Sequence, residues 1–416
     1  MIKTKSIVFI CVLFLGLQTF AQHSWLMTQD SLINSSNVIL DVHGNAGYRS
    51  NSLDREMMDI LLFGGYISNE LSGRQFDRMD ERLTLGGNYH GGFRVILPND
   101  SAFGLADWGW QASVDLKGHA EIGANKDLFH LIFDGNAPDY VGETANFNDT
   151  WIDYMEYQKV GFGMWHRSTQ SGFILSVVNG QQFERLNVFE GELYTAENVD
   201  SLSLLYHGVW VRSDTAISGF GVGNGIGFAL DGRINVPLKG DKGIVSVAIN
   251  DFGVVGWNES TLRYEADSLF TYEGVPLDDI IDDDGNGLPN FEDSLHYESE
   301  KGRMNRWLPG TIDAQLMHVV GERDFFRAAM RFRPVNVYNP LLQLGYYYNL
   351  PSNTLLGAVA SVGGYGGIRV GFEAEQWFAD RFFLALGIQD VYGPIANEGL
   401  GMHGNIRLTY RIRNND

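Results

Sequence analysis

Twelve residues from Asp282 to Asp293 read Asp-Asp-Asp-Gly-Asn-Gly-Leu-Pro-Asn-Phe-Glu-Asp. Their chemistry is oxygen ligation of a hard cation, since calcium takes about six to eight oxygens from a tightly turned loop. Counted from Asp282, side-chain oxygens fall at the first, third, fifth and ninth places as Asp282, Asp284, Asn286 and Asn290. Gly287 stands sixth, where the chain must turn sharply, and the backbone carbonyl of Leu288 is seventh. Asp293 is twelfth, where Glu is usual, and its shorter side chain suits a single-oxygen contact. A structural Ca2+ here would neutralise and order a loop that otherwise repels itself.

The spacing resembles the calcium loops of EF-hand-like, dockerin and thrombospondin type repeats. The likeness covers these twelve residues alone, with no flanking helix pair. They lie within a longer stretch, about Thr261 to Arg306, where acids accumulate and no strand rhythm is evident. This reads as one long extracellular loop.

Catalytic signatures are absent. No HExxH, paired CxxC or GxSxG occurs, and Gly219 to Gly227 fits no phosphate loop. His119, His166, His207 and His318 lie on or beside candidate strands and read as lumenal polar residues. The expectation is a protein that is not an enzyme.

Lys3 and Lys5, the apolar run Ile7 to Leu17, and small residues Thr19 and Ala21 read as a cleaved signal peptide, residues 1–21, with Gln22 first in the mature chain. Cys11 is the one cysteine and lies in that run, so the mature chain has no disulfides or thiolate metal sites. Loss of Lys3 and Lys5 takes the net charge from −21 to −23, which repels phosphate backbones and argues against nucleic acid as a partner. Fifty glycines and 13% aromatics point to many short strands. No later apolar run is long enough for a helical span.

The elements that must carry these residues show a period of two. Trp108, Trp110, Ala112, Val114 and Leu116 share one face, and Gly109, Gln111, Ser113, Asp115 and Lys117 the other. Ten such residues cross a bilayer when tilted, and two Trp at one end suit the headgroup level. At the C-terminus Ile406, Leu408, Tyr410 and Ile412 alternate with Arg407, Thr409, Arg411 and Arg413, a face that a wet lumen accepts. Between Gly219 and Leu230, glycines alternate with Phe220, Val222, Ile226, Phe228 and Leu230, so one strand face carries no side chains. It lines a close contact: tight inter-strand packing, a plug or a ligand.

Further candidate strands include Val38–Arg49, Ile60–Ile67, Gly91–Leu97, Val160–Arg167 and Gly172–Asn179. Leu202–Arg212, Gly243–Phe252 and a meander from Ile312 to Val391 follow. Asp54–Asp59 reads as a helical turn, and Asp127–Asn136 as a short helix or lumenal segment; either could help plug the barrel. The expected fold is an all-β transmembrane antiparallel barrel over residues 22–416, with about 14 strands (range 12–16), in the outer membrane.

Ile249-Asn-Asp-Phe-Gly-Val-Val-Gly-Trp-Asn258, continuing to Ser268-Leu-Phe-Thr-Tyr-Glu-Gly-Val-Pro-Leu277, resembles a signature of an uncharacterised family of Bacteroidetes-type outer-membrane barrels. Phe20-Ala21-Gln22 is similar in style. Such barrels are related to FadL transporters and to PorV-type barrels of type IX secretion. The resemblance implies a FadL-like barrel, often of fourteen strands, with no established activity. Ser31 to Val38 departs from the pattern in lacking an Asn-Pro-Ala-like segment. Read physically, Asn250-Asp251-Phe252-Gly253 suits a bulge at a strand rim, with Asp251 in a structural contact and Trp257 at the membrane interface.

Three functions remain open. One is a transporter or channel for a small or hydrophobic solute, with a lumen or lateral opening lined by Gly219 to Gly227. The second is an accessory or scaffold barrel holding a secretion or surface-protein partner through its acidic loops. The third is a soluble secreted β-sandwich.

Overall fold

The computed structural model describes residues 38–99, 101–214, 223–272, 297–335, 337–352, 354–378 and 381–412. The chain begins with β1 (Val38–Ser50), two helices, α1 (Arg55–Phe63) and α2 (Asn69–Arg78), and then β2 (Arg82–Leu97). Strand β3 (Trp108–Asn125), helix α3 (Lys126–Phe133), β4 (Thr150–His166) and β5 (Gly172–Thr195) follow. Next come β6 (Leu202–Arg212), β7 (Gly225–Pro237), β8 (Gly243–Trp257) and β9 (Leu262–Tyr272). Beyond these lie β10 (Tyr297–Lys301), β11 (Met304–Trp307), β12 (Thr311–Val319) and β13 (Asp324–Phe332). The last strands are β14 (Asn339–Leu350), β15 (Thr354–Gly364), β16 (Arg369–Phe378), β17 (Phe382–Ile388) and β18 (Gly401–Ile412).

Every wall pairing is antiparallel, and the sheet closes because β1 pairs with both β2 and β18. The seam runs unbroken from Val38↔Ile412 to Arg49↔Gly401. The closed wall holds fourteen strands, with β11 and β12 sharing one place beside β8. Closure leaves no strand edge to satisfy, the condition for crossing hydrocarbon with strands.

The alternation read from the sequence sets the two faces. Val114, Tyr410 and Ile412 are exposed on the outside, whereas Gln111, Ser113, Asp115, Thr409 and Arg411 are buried inside. Val160, Leu175, Val177, Ile226 and Phe228 continue the apolar outer surface. Aromatic rings mark two levels on it: Trp110 stacks on Phe162 at one end of the wall, and Phe252 meets Trp307 nearer the other. An apolar belt with aromatic margins on a closed barrel is a membrane-spanning surface. The exposed apolar wall leaves a soluble sandwich without support.

The two ends differ. At the end holding Val38 and Ile412, short connections such as 167–171, 238–242 and 320–323 join the strands. At the other end connections 51–81 and 126–149 are long and carry the helices. Asp54 caps α1 by accepting from the Met57 N–H at 3.1 Å and also accepts from Gln75 Nε2 at 2.8 Å, tying α1 to α2. Ser68 and Asn125 cap α2 and α3 in the same manner. Met57, Met58, Leu71 and Phe129 then bury a small apolar core with Tyr48 and Leu83 of the wall.

Two expectations are corrected here. Ile60–Ile67 is not a strand, because its first residues complete α1. The Asp54 cap, Glu56 in the first turn and Gly64 at the end outweigh a short apolar run that reads equally as strand. The stretch about 261–306 is strand at both flanks, as β9 and as β10 and β11.

Candidate functional site

The inward faces form three layers. Near the short-turn end, Ile39, Trp165, Met317, Tyr347, Trp377 and Phe383 pack together as an apolar layer. Toward the long-loop end, Tyr157, Val178, Phe183, Val255 and Trp257 form another, with the helical core nearby. Between them lies a layer rich in charge, with a cavity of about 150 Å³.

Strand register builds the charged layer. One row across the wall holds Arg407 of β18, His43 of β1, Gly92 of β2, Asp115 of β3 and Lys159 of β4. The next row holds Asn45, His90 and Lys117. Because side chains alternate, residues paired across neighbouring strands lie side by side on the same face.

Buried charges need partners, and most have them. Asp41 accepts from Arg407 Nε at 2.5 Å and from the Thr409 hydroxyl at 2.9 Å. Lys159 donates to Asp231 at 2.6 Å and to Asp251 at 2.7 Å, and Lys117 donates to the other Asp251 oxygen at 2.7 Å. Arg331 Nε donates to Asp313 at 2.5 Å, and Arg327 grips Glu373 with two bonds of 2.9 and 3.0 Å. Arg333 donates to His119 Nδ1 at 2.8 Å. In all, seven Lys or Arg and five Asp or Glu line the cavity.

Two imidazoles and one carboxylate converge in this layer. His90 Nε2 lies 2.7 Å and His43 Nε2 3.3 Å from the same oxygen of Asp115. Behind them, His43 Nδ1 meets Asp41 at 3.0 Å and His90 Nδ1 meets Asn45 at 3.2 Å. Ser113 donates to the second Asp115 oxygen at 3.0 Å. Gly92 leaves the gap in which they meet: a Cβ there would stand 2.5 Å from both Asp115 Oδ1 and His43 Nε2.

The residues expected from sequence fare differently. Asp282, Asp284, Asn286, Leu288, Asn290 and Asp293 lie outside the described residues, as do residues 1–21. Asp251 does sit at a bulge, with positive φ and two residues of β8 facing Asp231 of β7. The bulge is inside the charged layer, not at a rim, and turns the Asp251 carboxylate toward two lysines. Trp257 is buried in the upper apolar layer against Phe183, not at the membrane interface. Its ring and Val255 fill the space left by Gly180 and Gly225, so the described part of the glycine face is tight packing. Among the four histidines, His119 is buried in the interior, whereas His166 bonds Thr169 at a turn.

Sequence reading does not single out Asp41, His43, His90 or Lys159. The signal was present in β1, where Ile39, Asp41, His43 and Asn45 share the inward parity, but only the pairing register brings them to Asp115.

No curated protein matches the chain. A family model described as "Family of unknown function (DUF5723)" matches residues 181–378. Among solved structures, the Pseudomonas putida toluene transporter TodX is 9% identical, with a TM-score of 0.39, covering 94% of this chain and 93% of that one. The Ralstonia pickettii toluene transporter TbuX is 8% identical, with a TM-score of 0.40 and coverage of 96% and 95%. A mutant of the Rh. blastica porin is 9% identical, with a TM-score of 0.25 and coverage of 90% and 99%.

Proposed function

We propose that this chain is an outer-membrane transporter or channel whose interior handles a small polar solute, with a preference for anions. The observation that carries this is the charged layer: seven cationic and five anionic side chains line its cavity, in a chain whose net charge is −21. An anion entering there meets guanidinium and ammonium groups that outnumber the carboxylates beside them. A hydrophobic solute would have to displace those ion pairs without replacing their hydrogen bonds. The apolar layers above and below act as seals that must part for passage, so the described conformation is a shut one.

Proteoliposome uptake tests this reading. Small anionic solutes should enter faster than apolar solutes of equal size. Flux of apolar solutes alone, or no flux of any solute, would overturn it.

A scaffold role has one observation of its own. Beyond the wall, β5 pairs with β6, β6 with β9 and β9 with β10 in a projecting sheet. Phe189 and Leu269 are exposed on it, and Trp210 stacks on Tyr264. Exposed aromatics of this kind suit a protein partner. Co-purification with a partner that is lost on removal of this sheet would favour the scaffold reading.

A further inference from the structure

We infer that His43, His90 and Asp115 form a binding site for a divalent transition-metal ion, with zinc as the best chemical fit. This site is separate from the acidic segment at 282–293 and does not rest on the transport reading.

The three side chains converge as a set of metal ligands would. The candidate donor atoms, one from each side chain, all lie within 4.8 Å of one another. Two imidazole nitrogens and a carboxylate oxygen suit zinc, and three protein ligands leave one position for water or a solute. The cavity beside them provides room for that fourth group.

Hydrogen-bond chemistry gives an independent reason. An ionised carboxylate only accepts, so His43 Nδ1 must donate its hydrogen to Asp41 at 3.0 Å. In a neutral ring that leaves the Nε2 lone pair facing the Asp115 oxygen at 3.3 Å. Either a second proton on His43 or a metal ion makes that contact attractive, and the metal ion also draws in His90 Nε2. Asp41 then serves as the carboxylate that orients a metal-bound histidine, a recurring arrangement around such sites. Asn45 Nδ2 lies 3.2 Å from His90 Nδ1, and turning that amide over would let its oxygen accept from the Nδ1–H of a metal-bound ring.

Ion pairing weakens the repulsion that nearby cations exert on the ion. Lys117 and Lys159 are already neutralised by Asp251 and Asp231, and Arg407 by Asp41. The row is also shaped for convergence. With a side chain at the Gly92 position, His43 and Asp115 could not approach each other.

The test uses the untagged, folded barrel in detergent, dialysed against Zn2+ with excess Ca2+ present to occupy the acidic segment. One zinc per chain is expected by elemental analysis. The His43→Ala/His90→Ala double variant should lose it, and Gly92→Ala should lose it with every ligand still present. Asp41→Asn should bind about 10- to 100-fold more weakly. Co2+ substitution gives a reading that needs no variant: an intense tetrahedral-type absorption is expected. Folded wild-type protein that retains no zinc, zinc retention unchanged in the double variant, or a Co2+ spectrum no different from the hydrated ion would each overturn the proposal.

Discussion

Asp41 and Arg407 are 366 positions apart in the chain, yet their side chains meet at 2.5 Å across the seam where the first wall strand joins the last. The pair sits at the edge of the charged layer, so one contact serves both closure and the interior. Arg407→Ala leaves the Asp41 carboxylate buried with its strongest partner gone. Breaking a buried pair from one side costs about 3–5 kcal/mol. The barrel should therefore lose its heat-resistant gel mobility at a lower temperature, and Asp41→Asn added to Arg407→Ala should recover part of the loss.

Lys159 holds apart two carboxylates that would otherwise face each other. Lys159→Met removes the ammonium shared by Asp231 and Asp251 and leaves Lys117 as the remaining ion-pair partner of Asp251. A destabilisation of about 3–5 kcal/mol is expected from guanidinium unfolding. Asp251→Asn alone should also destabilise, and the double variant should be less damaged than the two single effects summed. Strict additivity would show that the three groups do not act as a unit.

The helical cap depends on one carboxylate. Asp54 caps α1, binds Gln75 of α2 and meets Arg74 at 3.1 Å. Asp54→Ala loses an N-cap worth about 1 kcal/mol and also leaves the buried Gln75 amide short of a partner. Faster amide exchange confined to residues 55–78 is the expected signature. Unchanged protection there would mean that apolar packing alone holds the helices.

The acidic segment carries its own prediction. If Asp282, Asp284, Asn286, Leu288, Asn290 and Asp293 hold calcium, Tb3+ luminescence sensitised by neighbouring aromatic rings should appear and be quenched by added Ca2+. Asp282→Asn with Asp284→Asn should abolish it and leave zinc binding in the barrel interior intact.

How much of this was readable in the sequence depends on whether a feature is local. The two-residue rhythm of β3 and β18 is local, and the faces read from Trp108–Lys117 and Ile406–Arg413 are the faces found. Arg413 alone falls outside the described residues. The sequence pattern marks β2 only from Gly91 to Leu97, because Gly86, Gly87, Asn88 and His90 have weak strand preference and owe their place to pairing with β1 and β3. The sequence pattern divides the helix at Arg55–Phe63 in two, since Ile60-Leu-Leu-Phe63 fits either period when taken alone. The charged layer was the least legible. The alternation places Asp115 and Lys117 on an interior face, but their partners come from three other strands, β1, β2 and β8, and register across strands is not written in any one of them. Asp251 illustrates the limit: a bulge was expected at Asn250-Asp251, yet whether it lies at a rim or mid-wall depends on the length of β8 and the stagger of β7.

The most direct test of a lipid-embedded barrel with a sealed, charged interior is thiol accessibility at two adjacent positions on β3, in a background whose one cysteine, Cys11, is absent. Val114→Cys on the outer face should react with a membrane-soluble maleimide and resist a charged, water-soluble one. Ser113→Cys on the inner face should react slowly with both while the apolar layers are intact, and faster with the charged reagent when Trp377→Ala opens the lower layer. Rapid labelling of Val114→Cys by the charged reagent in intact membranes would contradict the account, because that side chain would then face water instead of lipid.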